Sequence, residues 1–471
     1  MDCFTCLRDP RERVPSHEWL QARRVAYIVQ SGRYKTPPRI TVSRSRTRWS
    51  YSSDWAAQPA HTPRNLTPVR SKPELDGEPL LVRLISAHNL PNHDMFSESD
   101  VFATIDVLPF GGHSAPILTV AWPVKWDTPN PVWDSCRLLG EAARRDSDLR
   151  LRVSFFDYDV DMGLRSKELI GIAEVNVSEL EIGAPPTELV VETVKQLKGN
   201  KRAITRLQRM PTSTLQQRKT VYIVRHGESV WNEAQAARNV GAMIGDTDHP
   251  LNRVGRAQAE RLHAVLEAGG ADADALMASD LVMCSPLTRA VQTCLIGLAP
   301  MLARRPDARL LLNPNLREKR NLGGMDSSGK WHGEQLAHSV RAAMRHLYSD
   351  APEEAERLSS PQFDLRLVQH KWWLSIEESK DLVAERINEL LSQVRFSNDA
   401  SMVLVGHSHF FRELLRRSIA EECELRGCSQ SMAELLKKKL SNCGVARLQL
   451  DFEREKPVVA VELLFGTTLV N

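Results

Sequence analysis

Arg225-His226-Gly227-Glu228, with Asn232 six positions after the histidine, gathers side chains suited to phosphoryl chemistry. An imidazole nitrogen can attack phosphorus and carry it covalently. A guanidinium is a planar fork that matches phosphate oxygens, and glycine lets the backbone come close to a ligand. Two later segments repeat the theme. In Ser285-Pro286-Leu287-Thr288-Arg289-Ala290, Ser285 reads as a helix N-cap and Pro286 as the first helical residue. Arg289 then lies near a helix N-terminus, where amides and dipole already favour an anion. His407 follows the apolar run Met402-Val-Leu-Val-Gly406.

Each of these groups ends a segment that reads as a buried strand. Val221 to Val224 are four apolar residues, consistent with burial on both faces. Leu281 to Cys284 precedes Ser285, and Met402 to Gly406 precedes His407. A helix is expected after Asp248-His-Pro250-Leu251, with Leu262, Val265 and Leu266 on its apolar face. Alternation of strand and helix from Lys219 onward predicts an α/β fold, in which ligands sit at the carboxyl ends of the strands.

In this order the segments resemble the histidine phosphatase (phosphoglycerate mutase-like) superfamily. The resemblance implies a three-layer α/β fold and an attack on phosphorus by His226, which would hold a transient phosphohistidine. Arg225, Arg289, His407 and Asn232 would grip the equatorial oxygens, with Gly227 lining the site. Leu316-Arg317-Glu318 is similar to the segment that carries the general acid, so Glu318 is the candidate and Asp326 the reserve. The alternative for Glu318 is an exposed carboxylate paired with Arg317 or Arg320. The loop Asn321 to Gly329 could cover a substrate. His409 is assigned to the start of a helix, and Glu378, Ser379, Asp381 and Arg386 to capping and packing. No catalytic cofactor is implied, because two arginines and a protonated histidine supply the positive charge. The Arg-Arg and Pro-rich loop of the mutases is absent. Residues 330–375 read instead as helical, with Lys371-Trp372-Trp373 among them. That favours a metal-independent phosphomonoesterase acting on a phosphorylated small molecule or phosphoprotein. The alternatives are a phosphoglycerate mutase-type phosphotransferase and a non-enzymatic adaptor for a phosphorylated ligand.

Upstream, short alternating segments such as Leu80–Ile85, Asp100–Val107 and Leu149–Phe156, separated by Pro, Gly, Asn and Asp, predict an antiparallel β-sandwich. Asp94 and Asp100, and Asp157 and Asp159, leave strand ends and could converge on one rim. Hard oxygen ligands gathered in loops suit Ca²⁺. With Asn130-Pro-Val-Trp133 and Leu169-Ile-Gly171, this region resembles a C2 domain. The resemblance implies calcium at Asp94, Asp100, Asp157 and Asp159, with Glu168 at a fifth position where Asp is usual and Asp161 as a substitute. Bound calcium would let the loops meet anionic phospholipid, with Met95, Phe96 and Met162 inserting. The alternative is a sandwich that has lost calcium and only packs against a partner.

Length and charge bound the rest. A chain of 471 residues exceeds one ordinary core, and the multidomain division expected is a basic, mostly disordered segment at 1–75, a C2 domain at 76–210, a linker at 211–218 and the phosphatase domain at 219–471. The net charge of +3 gives no bulk attraction to polyanions, and no nucleic-acid partner is expected. Residues 1–75 hold 14 Lys/Arg against 6 Asp/Glu and little to bury. A short amphipathic helix at 19–28 is compatible with their pattern. Cys3 and Cys6 lack the second pair of a zinc site. They read as two idle thiols, with palmitoylation as the alternative. Eight scattered cysteines indicate reduced thiols, hence a cytoplasmic protein, for which the C2 resemblance implies that peripheral membrane association is possible. The N-terminus has no signal-peptide core, and Asp2 excludes myristoylation. Lys195 to Lys219 contains eight Lys/Arg and no acid, a basic connection that is either membrane-attracted or simply soluble surface.

Overall fold

The computed structural model describes residues 79–471, apart from 95–96, 110–114, 140–148, 162–163, 198–200, 213–214, 245, 306–308, 321–324, 375–376 and 428. The N-terminal segment with Cys3 and Cys6, and the loop residues Met95, Phe96 and Met162, lie outside it.

Eight strands come first: β1 (Leu81–His88), β2 (Val101–Pro109), β3 (Leu118–Lys125), β4 (Val132–Leu138), β5 (Leu149–Asp161), β6 (Leu164–Asn176), β7 (Thr187–Thr193) and β8 (Ala203–Met210). Their order is β3-β2-β5-β6-β7-β8-β1-β4, with every pairing antiparallel. The period of two is plain in β2, where Val101, Ala103, Ile105 and Val107 are buried between half-buried neighbours. β6 and β7 share only the pairs Gly171–Thr193 and Ile172–Glu192, and this short junction joins the two halves. Across the core Trp133 of β4 meets Phe155 of β5, ring centroids 6.1 Å apart. Burying such aromatic faces is a large part of what holds the layers together.

The second sheet uses β9 (Arg218–Arg225), β10 (Leu281–Cys284), β11 (Leu310–Leu312), β12 (Phe363–Asp364), β13 (Ser401–Gly406), β14 (Ile419–Arg426), β16 (Val445–Asp451) and β17 (Val458–Leu464). A small ribbon pairs β15 (Lys439–Leu440) with β18 (Leu469–Val470). The order is β12-β11-β10-β13-β9-β16-β17-β14. The strands from β12 to β9 run parallel, and β16 is antiparallel to both β9 and β17. The apolar run in β9 serves two cores at once. Helix α1 (Val230–Ala236) follows β9; Tyr222 and Val224 face the side of α2 (Arg253–Ala268), α3 (Thr288–Gly297) and α4 (Gly333–Leu347), whereas Val221 and Ile223 face α5 (Lys380–Phe396) and α6 (Ser408–Ser418). The chain is therefore an antiparallel sandwich followed by a three-layer α/β fold with a mixed sheet.

Residues 330–375 are helical only in part. After α4 and the short helix Pro352–Leu358, the chain adds β12 and then an irregular stretch containing Trp372 and Trp373. The two sheets touch through polar groups. Arg137 of β4 binds Glu389 and donates to Ser392 Oγ of α5 at 2.9 Å. Asp134 pairs with Arg366 at 3.0 Å and Asp127 with Lys371 at 3.1 Å. Lys125 is half-buried nearby, and desolvation pushes its ammonium down to about 8.

Candidate active site

β9, β10 and β13 are adjacent and parallel, so Arg225-His226, Ser285 and His407 leave the same edge of the sheet. The His226 and His407 rings lie 4.9 Å apart. His226 Nδ1 lies 2.6 Å from the Gly227 carbonyl, an acceptor only, so Nδ1 bears the proton and Nε2 the lone pair. Arg289 Nε donates to that Nε2 at 3.4 Å. Burial holds the His226 ring well below its ordinary value, and Arg289 and Arg225 push the same way. A neutral imidazole with its lone pair on Nε2 is the form that can attack.

Arg225 is buried, with one terminal nitrogen on the Leu440 carbonyl at 2.5 Å and Nε unpartnered. Arg289, 1% exposed, donates to the Asp326 carbonyl at 2.7 Å and stands 3.6 Å from its carboxylate. Asp326 thus engages one end of Arg289, whose other terminal nitrogen makes no hydrogen bond. Burial pushes the Asp326 carboxyl up although Arg289 opposes it.

Several residues sit differently from the sequence-based expectation. Helix α3 starts at Thr288, two residues after Pro286, and Ser285 does not cap it. Asp248 does, accepting from the amide and the hydroxyl of Thr288 at 2.7 Å each. Burial pushes Asp248 up to about 6. Ser285 Oγ lies instead 2.8 Å from His407 Nε2, and His407 Nδ1 is buried without a partner. Burial, with Arg289 next in weight, holds His407 well below its ordinary value. Both work against the protonated ring expected from the sequence. Gly227 gives its amide to Thr293 Oγ1 at 3.0 Å, and a Cβ there would meet the Gly255 carbonyl at 2.8 Å. Close packing of two backbones requires that glycine. Asn232 forms a capping box with Ser229, its Oδ1 accepting from the serine amide at 3.1 Å. Its amide nitrogen is the group left for a substrate.

Glu318 is buried, not the exposed carboxylate of the alternative reading. Oε1 accepts from the amides of Lys319 at 2.9 Å and Phe410 at 3.0 Å, and Oε2 from that of His409 at 3.3 Å. Arg317 turns away to Glu378 at 2.8 Å. Glu378 also binds Arg386, which donates to the carbonyls of Asn315 and Arg317 and lies over the Phe410 ring. Ser379 caps α5. His409 sits in the first turn of α6, its Nδ1 accepting from Arg412 at 2.7 Å.

The model of the "Histidine phosphatase superfamily (branch 1)" matches residues 221–459, and that of the "C2 domain" residues 78–190. The chain belongs to the histidine phosphatase superfamily. Comparison with curated proteins gave no match. Similar solved structures include a putative alpha-ribazole-5'-P phosphatase from Escherichia coli, at 16% identity over 53% of this chain and 94% of that one, with TM-score 0.29. A phosphoglycerate mutase from Bacillus anthracis is 17% identical over 51% and 92%, with TM-score 0.31. A C2 domain of plant Extended Synaptotagmin 1 is 19% identical over 29% and 98%, with TM-score 0.23. As a histidine phosphatase superfamily member carrying a C2 domain, the protein is an enzyme of phosphatase or mutase type.

The rim of the C2 sandwich holds several of the acids expected there. Asp157, 1% exposed, accepts from Ser99 Oγ and from the Asp100 amide, each at 2.9 Å. Asp100 accepts from the Asp127 amide at 2.8 Å. Burial pushes Asp100 up to about 7, and the charges of Asp94, Asp157 and Asp127 add to that. Asp127 was not singled out in the sequence because it lies in a third loop. Glu168, expected as the fifth ligand, stands largely in solvent with its carboxylate 3.3 Å from His93. The side chains of Asp159 and Asp161 lie outside the described residues. Among the described residues no three His, Cys, Asp or Glu are arranged to hold a metal, although the crowded charge at Asp100 suits a cation. Among them, too, no helix is long and apolar enough to cross a membrane.

Proposed function

We propose that the protein is a metal-independent phosphomonoesterase working through a phosphohistidine. The carrying observation is His226 itself. Its Nδ1 proton is engaged by Gly227, and its neutral Nε2 lies beside Arg289 and His407. Nε2 attacks phosphorus as the ester P–O bond breaks, and Glu318, as the acid, gives its proton to the departing oxygen. Glu318 then takes a proton from water, whose oxygen displaces the imidazole and releases phosphate. Oε2 is the oxygen suited to this transfer, since it has one long amide contact where Oε1 has two short ones. Arg225, Arg289 and the Asn232 amide would hold the phosphoryl oxygens. Ser285 donating to His407 Nε2 leaves Nδ1–H as a further donor for them.

His226→Ala should abolish both p-nitrophenyl phosphate hydrolysis and acid-labile phosphate labelling. Equal activity in the variant would remove the assignment. Phosphatase is preferred to mutase because 330–375 contains no Arg-Arg or Pro-rich substrate loop.

The chain divides, on this reading, at 76–210 and 219–471, and the sandwich serves membrane attachment. Asp94, Asp100, Asp157 and Asp159 would hold calcium, whose charge would offset the rim and admit anionic headgroups. Calcium should sediment the protein with phosphatidylserine vesicles, and Asp157→Asn should lose that response. Equal pelleting with calcium and with chelator would reject it.

A further inference from the structure

Lys371-Trp372-Trp373 has no part in the chemistry, yet it stands between the sandwich and the catalytic loop. Lys371 Nζ reaches Asp127 of the sandwich at 3.1 Å. Trp372 Nε1 donates to the Trp331 carbonyl at 3.0 Å, and the two indoles cross with centroids 5.3 Å apart. Between them they enclose Gly329. A Cβ there would fall 2.4 Å from Trp372 and 2.6 Å from Trp373, so both rings lie directly against that backbone. Three residues earlier the same segment carries Asp326, whose carbonyl and carboxylate hold Arg289. Asp127 faces both ways. Its other oxygen accepts from the Glu98 amide at 3.0 Å, and its own amide donates to Asp100 on the acidic rim.

We infer that Asp127 and Lys371 are positioning residues, through which the sandwich sets the place of the 325–329 segment and with it the readiness of Arg289 for a phosphoryl group. The inference rests on the phosphatase reading, in which Arg289 grips that group. Its consequence is that substrate affinity depends on a residue of the sandwich far from phosphorus. Loss of the pair removes the sandwich's tether on the stretch that carries the tryptophans and lets Asp326 settle deeper on Arg289, which weakens binding of the anion and leaves the attack by His226 intact.

The test is a double-mutant cycle in the full chain with Asp127→Asn, Lys371→Met and both. Asn keeps an oxygen for the Glu98 amide, and both side chains are partly exposed, so unfolding is not the expected result. Each single variant should raise KM for p-nitrophenyl phosphate and the inhibition constant of inorganic phosphate about threefold, as befits a half-exposed ion pair. Turnover should change less than twofold, and the double variant should be no worse than either single. Unchanged constants in the singles, or additive effects in the double, would overturn the inference. Gly329→Ala, driven against the indoles, should weaken phosphate in the same way, and unaltered affinity there would count equally against it. A wild-type protein that neither hydrolyses nor binds phosphate would instead overturn the phosphatase reading itself.

Discussion

Glu378→Gln is the perturbation whose cost the structure defines best. The Glu378 carboxylate has no exposed side-chain surface and bridges Arg317 and Arg386. Those two guanidiniums bring it from an ordinary 4.5 down to about 2 against the opposing effect of burial. That drop corresponds to about 3 kcal/mol of stability at neutral pH. Glutamine preserves the shape but leaves two buried cations facing each other, a defect of the same size, about 3–5 kcal/mol. For a domain of this length the melting temperature should fall by about 6–20 °C, measured by circular dichroism. The sign with pH is fixed by the direction of the shift. A depressed carboxyl stabilises fully above its unfolded value of 4.5 and ceases to do so as pH falls through about 2. The gap between wild type and variant should therefore be constant from pH 7 to 5 and shrink below. Turnover should fall as well, because Arg317 is bonded to Glu318 along the chain and Arg386 holds the Arg317 carbonyl at 2.8 Å. A melting temperature within 2 °C of wild type, or a gap that does not narrow in acid, would refute the reasoning.

Three further outcomes follow from the site. Glu318→Gln should slow hydrolysis of alkyl phosphates by about 10²–10⁴-fold and of p-nitrophenyl phosphate far less, since a good leaving group needs no proton; the same pattern in Asp326→Asn would move the acid to that residue. Ser285→Ala leaves His407 Nε2 buried without its partner, and kcat/KM should drop about tenfold with a fall of several degrees in the melting temperature; full activity would show that the hydroxyl does not orient the ring. Because burial and two arginines hold His226 well below 6.5, the acidic fall in kcat/KM should begin below that value, and a fall centred at or above it would contradict a neutral nucleophile.

What could be read from the sequence was local. The run Val221–Val224 announces a strand buried on both faces because every residue in it enters one core or the other. His226 and His407 stand out because each closes such a run, so three or four neighbours define its place. What the sequence did not reveal has the opposite property. Ser285-Pro286 has the residue types of a helix start, but the cap comes from Asp248, forty residues upstream, and the serine is free to hold His407. Gly227 is constrained by Gly255, and Glu318 by amides at 409 and 410; no pattern around either residue encodes that partner. Asp127 is the extreme case. Its neighbours Thr128-Pro-Asn-Pro describe a turn and nothing else, while its two most telling contacts are Asp100 and Lys371, 27 and 244 positions away. A turn residue is constrained by what the fold brings to it. The acid that joins the sandwich to the catalytic segment therefore emerges only when both sheets are in view, and its charge has to be tested together with that of Lys371.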